Sequence, residues 1–397
     1  MLRFATRLAH SRAAVITSPP LQRKSLSKIK DRKRWLLIPA NARQNYADLI
    51  EKQKDLLSWS CANKTNTLNI NGRDPSTAVI TSGIGGNYYE ENEKDFIVQR
   101  QGKIPSHLHI GTYPVPMESV GKLCENAEKI YIIEEGQPFI EEKLRGLLPI
   151  YSPSGKKREV FGKLDGTFIR TGELDPDNVR KGLGLADREC ILNHGIELPE
   201  LPGRPPQLCQ GCSHRDSYEV LNRAVADLDG TEGNINTAIC ADIGCYSLGA
   251  GPPYNSIESI VCMGASVAMA RGAAEAGMKY AITVIGDSTF MHSGITCLVD
   301  AIQAKAAMTV LILDNSAVAM TGCQDTIIPS EQLPDFIKGL GVDKEHIRVL
   351  EAHSKNFDEN LECLKNEMEY RGLSVIIFRR VCVEAFRKQR RAERETK

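Results

Sequence analysis

Residues 281–322 read AITVIGDSTFMHSGITCLVDAIQAKAAMTVLILDNSAVAMTG. Ala281–Ile285 and Met308–Leu313 are unbroken apolar runs of strand length, the pattern of strands buried on both faces. Between them Ile295, Leu298, Val299, Ile302 and Ala306 recur at helical spacing. Strand, helix and strand at this length make a βαβ unit with parallel strands and a right-handed crossover. Each strand closes on a small acidic turn, Gly286-Asp287-Ser288 and Asp314-Asn315. Parallel strands bring such turns together at the carboxyl edge of a sheet, where α/β folds bind ligands. Asp287 and Asn315 offer hard oxygen ligands that suit Mg²⁺, and Gly286 lets a phosphate approach the backbone. An ordinary nucleotide-fold turn pair without a metal uses the same residues.

Working outward, the chain has 397 residues, enough for two or three cores. Lys plus Arg equals Asp plus Glu at 50 each, so no net charge draws it to nucleic acid or to a membrane surface. No apolar run reaches the ~18 residues that span a bilayer. Twelve cysteines without a secretory signal point to a reducing, cytoplasmic compartment, where thiols stay free or bind metal. Residues 1–34 carry ten Lys/Arg and one acid, Asp31. That start fits a mitochondrial transit peptide. Met1–Arg12 also reads as the final strand and turn of a larger domain, and this second reading is preferred.

Residues 1–71 are then a domain remnant and a connector, with one helix over Asn41–Leu57. Residues 72–150 alternate strands, at Ala78–Thr81, His107–Ile110 and Lys129–Ile133, with helices at Glu118–Glu125 and Pro138–Leu148, the signature of a small parallel sheet. Glu134-Glu135 reads as a solvated strand end that helps start the next helix. Residues 151–206 are polar and carry Pro199, Pro202, Pro205 and Pro206, which predicts a linker. Residues 207–383 add to the central βαβ a helix at Asp216–Asp227, a strand at Ala238–Ala241, an Ala/Gly-rich helix at Ser266–Ala276 and a last strand at Ser374–Phe378. Residues 384–397 are a charged tail.

Cys209 and Cys212 form a C-x-x-C pair, Cys245 lies just after a strand, and Cys382 follows the last strand. Gathered at one sheet edge, four thiolates bind Zn²⁺ or an iron–sulfur cluster. Plain buried thiols fit the same spacing.

The segments CQGCSHR (209–215), ADIGCYSLGAGPP (241–253), CMGAS (262–266), GDSTFMHSGI (286–295) and LDNSAVAMTG (313–322) follow one another in an order that resembles the 2-oxoacid:ferredoxin oxidoreductases, in particular the large α subunits acting on indolepyruvate. PANAR (39–43), TSGIGGNY (81–88), GTYPVP (111–116) and IIEEGQPFIEE (132–142) extend the resemblance over nearly the whole chain. It implies an α/β protein with a transketolase-C-terminal-like domain, then a thiamine diphosphate-binding domain built on a doubly wound parallel sheet. In the thiamine diphosphate signature Gly286-Asp287 and Asn315 match, with Ser288 in place of the second glycine. The implied Mg²⁺ ligands are Asp287, Asn315 and the Ala317 carbonyl. Gly244, Gly264, Ala265 and Ser266 match the floor that receives the diphosphate through N–H groups, and Gly286, Ser288, Thr321 and Gly322 complete the implied cofactor-binding set. Cys209, Cys212, Cys245 and Cys382 match the ligands of a [4Fe–4S] cluster, with Gln210, Ser213 and Val381 as departures from the family pattern. His214 and His292 sit inside matched motifs and are assigned to substrate or diphosphate; buried, hydrogen-bonded histidines fit equally.

The activity implied is oxidative decarboxylation of an aryl 2-oxo acid, indole-3-pyruvate, with the acyl group passing to coenzyme A and electrons to ferredoxin. The partners implied are the small β subunit, ferredoxin and a separate chain carrying the family's pyrimidine domain. The family layout also places a ferredoxin-like two-cluster domain after the last strand, and no cysteine follows Cys382. Two alternatives share the same motifs: a non-oxidative 2-oxo acid decarboxylase that needs no cluster, and a non-catalytic truncated subunit.

Overall fold

The computed structural model describes residues 11, 13–22, 30–70, 74–150, 154–188, 205–229 and 236–395. The chain divides into two units, 1–198 and 199–397. Met1–Arg12, apart from Ser11, lies outside the described residues, as do Pro199 and Pro202.

The first unit holds a sheet of β1 (Asn66–Asn69), β2 (Asp74–Ser82), β3 (Pro105–Ile110), β4 (Lys129–Ile133) and β5 (Glu159–Phe161), in the order β1-β3-β2-β4-β5. Only β1 runs antiparallel; the other pairings are parallel. The connector helix α1 (Pro39–Ala62) is longer than expected at both ends. Helices α2 (Ile84–Gln99), α3 (Met117–Cys124) and α4 (Phe139–Leu147) link the parallel strands. Ala78, Ile80, Ile130 and Ile132 face one core layer, and Val79 and Ile133 the other, as the two-residue repeat of a strand requires.

Two expectations fail here. Residues 154–188 are not linker: they supply β5 and the helix α5 (Pro176–Gly182). Phe168, Leu174, Val179, Leu183 and Leu185 pack with Tyr88, Tyr89 and Phe96 in the sheet's second core layer. Glu134 is not solvated. It is 3% exposed and accepts hydrogen bonds from the N–H groups of Ile140 and Glu141, 2.9 and 3.0 Å away, at the start of α4. Burial raises its carboxyl above the usual range. It does help start that helix, from inside the protein.

The second unit carries β6 (Thr237–Ala241), β7 (Ser259–Ile260), β8 (Tyr280–Gly286), β9 (Met308–Asp314), β10 (Ile347–Glu351) and β11 (Leu373–Arg379), in the order β10-β11-β9-β8-β6-β7. Every pairing is parallel. All seven residues of β8 and of β9 are buried, which is why they read as unbroken apolar runs. Their side chains alternate between two layers. Ile282, Val284, Leu311 and Leu313 pack with Tyr218 and Leu221 of α6 (Ser213–Asp229). Ala281, Ile285, Val310 and Ile312 pack on the opposite face with Val267 and Ala270 of α7 (Ala265–Glu275) and with Leu298 and Ala301 of α8 (Ile295–Gln303). Helices on both faces of a parallel sheet make the doubly wound architecture. Each fully buried aliphatic chain in these layers contributes roughly 2 kcal/mol. Helices α9 (Leu333–Leu340) and α10 (Phe357–Glu369) flank β10, and α11 (Val383–Glu395) follows β11. Among the described residues no helix is long and apolar enough to cross a membrane.

Candidate cofactor site

The order of the second sheet reverses beside β6. From β6 the chain moves outward to β7, and from β8 it moves the other way to β9. The crevice beyond the carboxyl ends of β6 and β8 is therefore a topological switch point, the usual ligand site of an open α/β sheet.

Asp287 opens the helical run that follows β8 and is 7% exposed. Its Oδ1 accepts the Ser288 N–H at 2.7 Å; its Oδ2 is buried and has no partner. Asp314, at the end of β9, is 1% exposed and lies against Asp287. Burial, then the neighbouring Asp314 charge, pushes the Asp287 carboxyl upward. Asp314 is compensated: the Arg379 Nε donates to it at 3.0 Å and the Ser330 hydroxyl at 2.6 Å. Asn315 is also buried, and its Oδ1 accepts the Ala317 N–H at 3.1 Å. The Ser316 N–H donates to the Asp314 Oδ1 at 3.1 Å, and Asp314 lies against Asp287, so the two strand-end turns meet. A buried carboxylate oxygen without a partner, beside a second carboxylate, fits a hard divalent cation. Among the described residues no three His, Cys, Asp or Glu side chains form a group able to hold a metal. A cation at Asp287 would draw its other ligands from Asn315, from backbone and from a phosphate.

The glycines serve a neighbour that the sequence did not reveal. A Cβ on Gly244 or on Gly286 would run into the ring of Tyr246. Tyr246 is 3% exposed and its hydroxyl donates to the Ile243 carbonyl at 3.2 Å. Gly286 permits the close approach of this ring. Asp242, fully buried after β6, accepts the Ser266 N–H at 2.7 Å and the Ser266 hydroxyl at 2.6 Å, and also bonds the backbone of Gly264 and Ala265. The expected diphosphate floor is thus already capped by a carboxylate of the chain. Gly264 has a left-handed backbone, φ +85°, and a Cβ there would fall against Ser293. Ser288 keeps a buried hydroxyl without a partner.

The two histidines part company. His214 is 2% exposed, 3.4 Å from the Asn315 Nδ2 through its Nε2, and burial lowers its pKa to about 4. It is a neutral ring beside the Asn315 turn. His292 is exposed; its Nδ1 lies 3.0 Å from the Ser293 hydroxyl, which donates to the Met263 carbonyl at 2.9 Å. It sits in a π-turn, Phe290–Gly294, between Asp287 and α8. Such turns concentrate at functional sites. Thr321 and Gly322 are exposed, and the Thr321 hydroxyl donates to the Gln324 Oε1 at 2.7 Å.

Cys209 and Cys212 precede α6, Cys245 follows β6 and Cys382 follows β11. Burial raises the Cys212 thiol, and raises Cys245 to about 11; Cys245 also feels the sulfurs of Cys212, Cys382 and Cys209, and Cys212 those of Cys209 and Cys382. The four stand within electrostatic reach but do not close on a common point. As a donor set, four sulfurs on loops suit a thiophilic centre.

A family model, the C-terminal TPP binding domain of thiamine pyrophosphate enzymes, matches residues 242–377. The chain is 30% identical over 397 aligned residues to the indolepyruvate oxidoreductase subunit IorA of Methanothermobacter thermautotrophicus, covering 96% of this chain and 62% of that protein. The corresponding subunit of Methanothermobacter marburgensis is 31% identical with the same coverage, and that of Archaeoglobus fulgidus 28% identical over 99% of this chain. The chain spans about 62% of the length of these relatives. Among solved structures, a 2-oxoglutarate:ferredoxin oxidoreductase from Magnetococcus marinus superposes on 48% of this chain and 70% of its own, with 20% identity and a TM-score of only 0.37.

Proposed function

We propose that the second unit holds the thiamine diphosphate and Mg²⁺ of a 2-oxoacid oxidoreductase, a reading supported by the likeness to IorA-type indolepyruvate oxidoreductase subunits and to the thiamine pyrophosphate-binding domain. One observation carries the reading: the buried Asp287 Oδ2 has no partner beside a second carboxylate.

In this reading Asp287, the Asn315 side chain and the Ala317 carbonyl hold Mg²⁺. The unpartnered Ser288 hydroxyl donates to the diphosphate. Gly264, Ala265 and Ser266, tied to Asp242, frame the site, as Gly244 and Gly286 do by seating Tyr246. His214 stays neutral and fixes the Asn315 amide. His292, exposed on the π-turn, faces the substrate side, and Thr321 and Gly322 form its outer wall. Thiamine diphosphate supplies the electron sink for loss of CO₂ from a 2-oxo acid, and the protein supplies orientation and electrostatics. Cys209, Cys212, Cys245 and Cys382 would hold a [4Fe–4S] cluster, which would supply an electron acceptor. The substrate is an aryl 2-oxo acid, indole-3-pyruvate, with coenzyme A as acyl acceptor, ferredoxin as electron acceptor and the small β subunit as partner.

The test is anaerobic co-purification with the small β subunit and a chain carrying the pyrimidine domain, followed by ferredoxin reduction. Reduction that requires both indole-3-pyruvate and coenzyme A, in protein containing iron and sulfide, is the expected result. CO₂ release without iron or ferredoxin reduction would instead identify a non-oxidative decarboxylase. No turnover of any 2-oxo acid overturns the reading.

A further inference from the structure

Cys323 belongs to none of the ligand sets above, yet its thiol is in hydrogen-bonding contact with Cys382. Its backbone is left-handed, φ +59°, a conformation that costs a residue with a side chain on the order of 1 kcal/mol. The turn is held in that shape. Val318 and Gln324 form an antiparallel bridge, with the Val318 N–H donating to the Gln324 carbonyl at 2.9 Å and the Cys323 N–H to the Val318 carbonyl at 3.1 Å.

Cys382 is pinned separately. Its N–H donates to the Asn315 carbonyl at 2.9 Å, and its carbonyl accepts the Phe386 N–H at 3.0 Å as α11 begins. The two segments are also stitched beside the sulfurs, because the Lys388 Nζ of α11 donates to the Gly322 carbonyl at 3.1 Å. Both thiols are partly exposed. A pair of core thiols packed for bulk would be closed to solvent; these two are open to a small oxidant.

We propose that Cys323 is the resolving thiol of Cys382: a hydroperoxide converts the pair to a disulfide, which withdraws Cys382 from the sulfur set. The consequence for a metal rests on the cluster reading above; the disulfide itself does not. In the first step the Cys382 thiolate attacks one peroxide oxygen, the O–O bond breaks and one water leaves, giving a sulfenic acid. Cys323 then attacks that sulfur, the S–S bond forms and the hydroxyl departs as a second water. Two thiols lose two electrons and two protons, and the peroxide takes up both. A dithiol reductant reverses the change.

The experiment uses the full chain prepared without iron. It is treated with equimolar hydrogen peroxide, alkylated, digested and mapped by mass spectrometry. The expected product is the Cys323 peptide joined to the Cys382 peptide with loss of two hydrogens, absent from Cys323→Ser and abolished by dithiothreitol. Recovery of Cys323 as an alkylated free thiol, or joined to any other cysteine, overturns the proposal. Iron uptake by the untreated chain is measured in parallel, so a failed cluster registers there and not in the map.

Discussion

At Asp287 stability and function pull in opposite directions. Its carboxylate is buried, one oxygen has no partner, and Asp314 lies alongside. Asparagine keeps the shape and removes the like charge. We expect Asp287→Asn to stabilise the cofactor-free chain against urea by about 1–2 kcal/mol while ending any rise in midpoint with Mg²⁺. A loss of stability in that variant would mean the charge is already compensated. A second residue-scale prediction concerns His107, whose Nε2 lies 2.9 Å from the Thr81 hydroxyl, with the His109 Nδ1 at 3.0 Å from the same oxygen. Burial lowers the His107 pKa from 6.5 to about 4. The unfolded imidazole takes a proton below the higher value and the folded one refuses it until the lower. Its contribution is thus complete above pH 6.5 and is lost as pH falls toward 4; the size is on the order of 3 kcal/mol. Urea unfolding of the wild type should weaken more than that of His107→Gln across this window; parallel curves would remove the assignment. Asp287 and Asn315 were legible in the sequence because each sits where an apolar run stops. Tyr246 and Asp242 were not, since their roles depend on neighbours brought in by the fold.

Among the elements, β8, α8 and β9 were plain because both strands are buried on both faces and the helix repeats its apolar stripe. Their ends were missed by a residue or two, because periodicity marks a middle better than a boundary. The edge strand β10 left no signal: none of its residues is buried, so no apolar run forms. The π-turn at Phe290–Gly294 left none either, since one extra residue per turn does not alter composition. That turn is locked to the start of α7. The Ser293 hydroxyl bonds the Met263 carbonyl, and a Cβ on Gly264 would fall against the same hydroxyl and within 2.7 Å of the Ser293 carbonyl oxygen. Gly264→Ala should cost about 2–4 kcal/mol, from left-handed strain plus the clash, read as a lowered thermal midpoint. An unchanged midpoint would show that the two turns move apart freely.

Across the whole molecule, the misreading of residues 154–188 is the instructive failure. Phe168, Leu174, Val179, Leu183 and Leu185 are spaced without a repeat among polar residues and glycines, so no window looked like an element. Tertiary packing gathers them: Phe168 is 2% exposed, and a Cβ on Gly182 would meet its ring. Phe168→Ala should cost about 3–5 kcal/mol in chemical denaturation, whereas a linker residue would cost nothing measurable. The second unit was read more fully, because a doubly wound sheet repeats one simple pattern, buried strand then amphipathic helix. Its carboxyl edge carries the central claim, that Asp287 holds a cation against a diphosphate. Titration calorimetry of thiamine diphosphate into the full chain tests it most directly, with Mg²⁺ present, with Mg²⁺ chelated, and in Asp287→Ala. The account predicts binding in the first case only; equal heats in all three would contradict it.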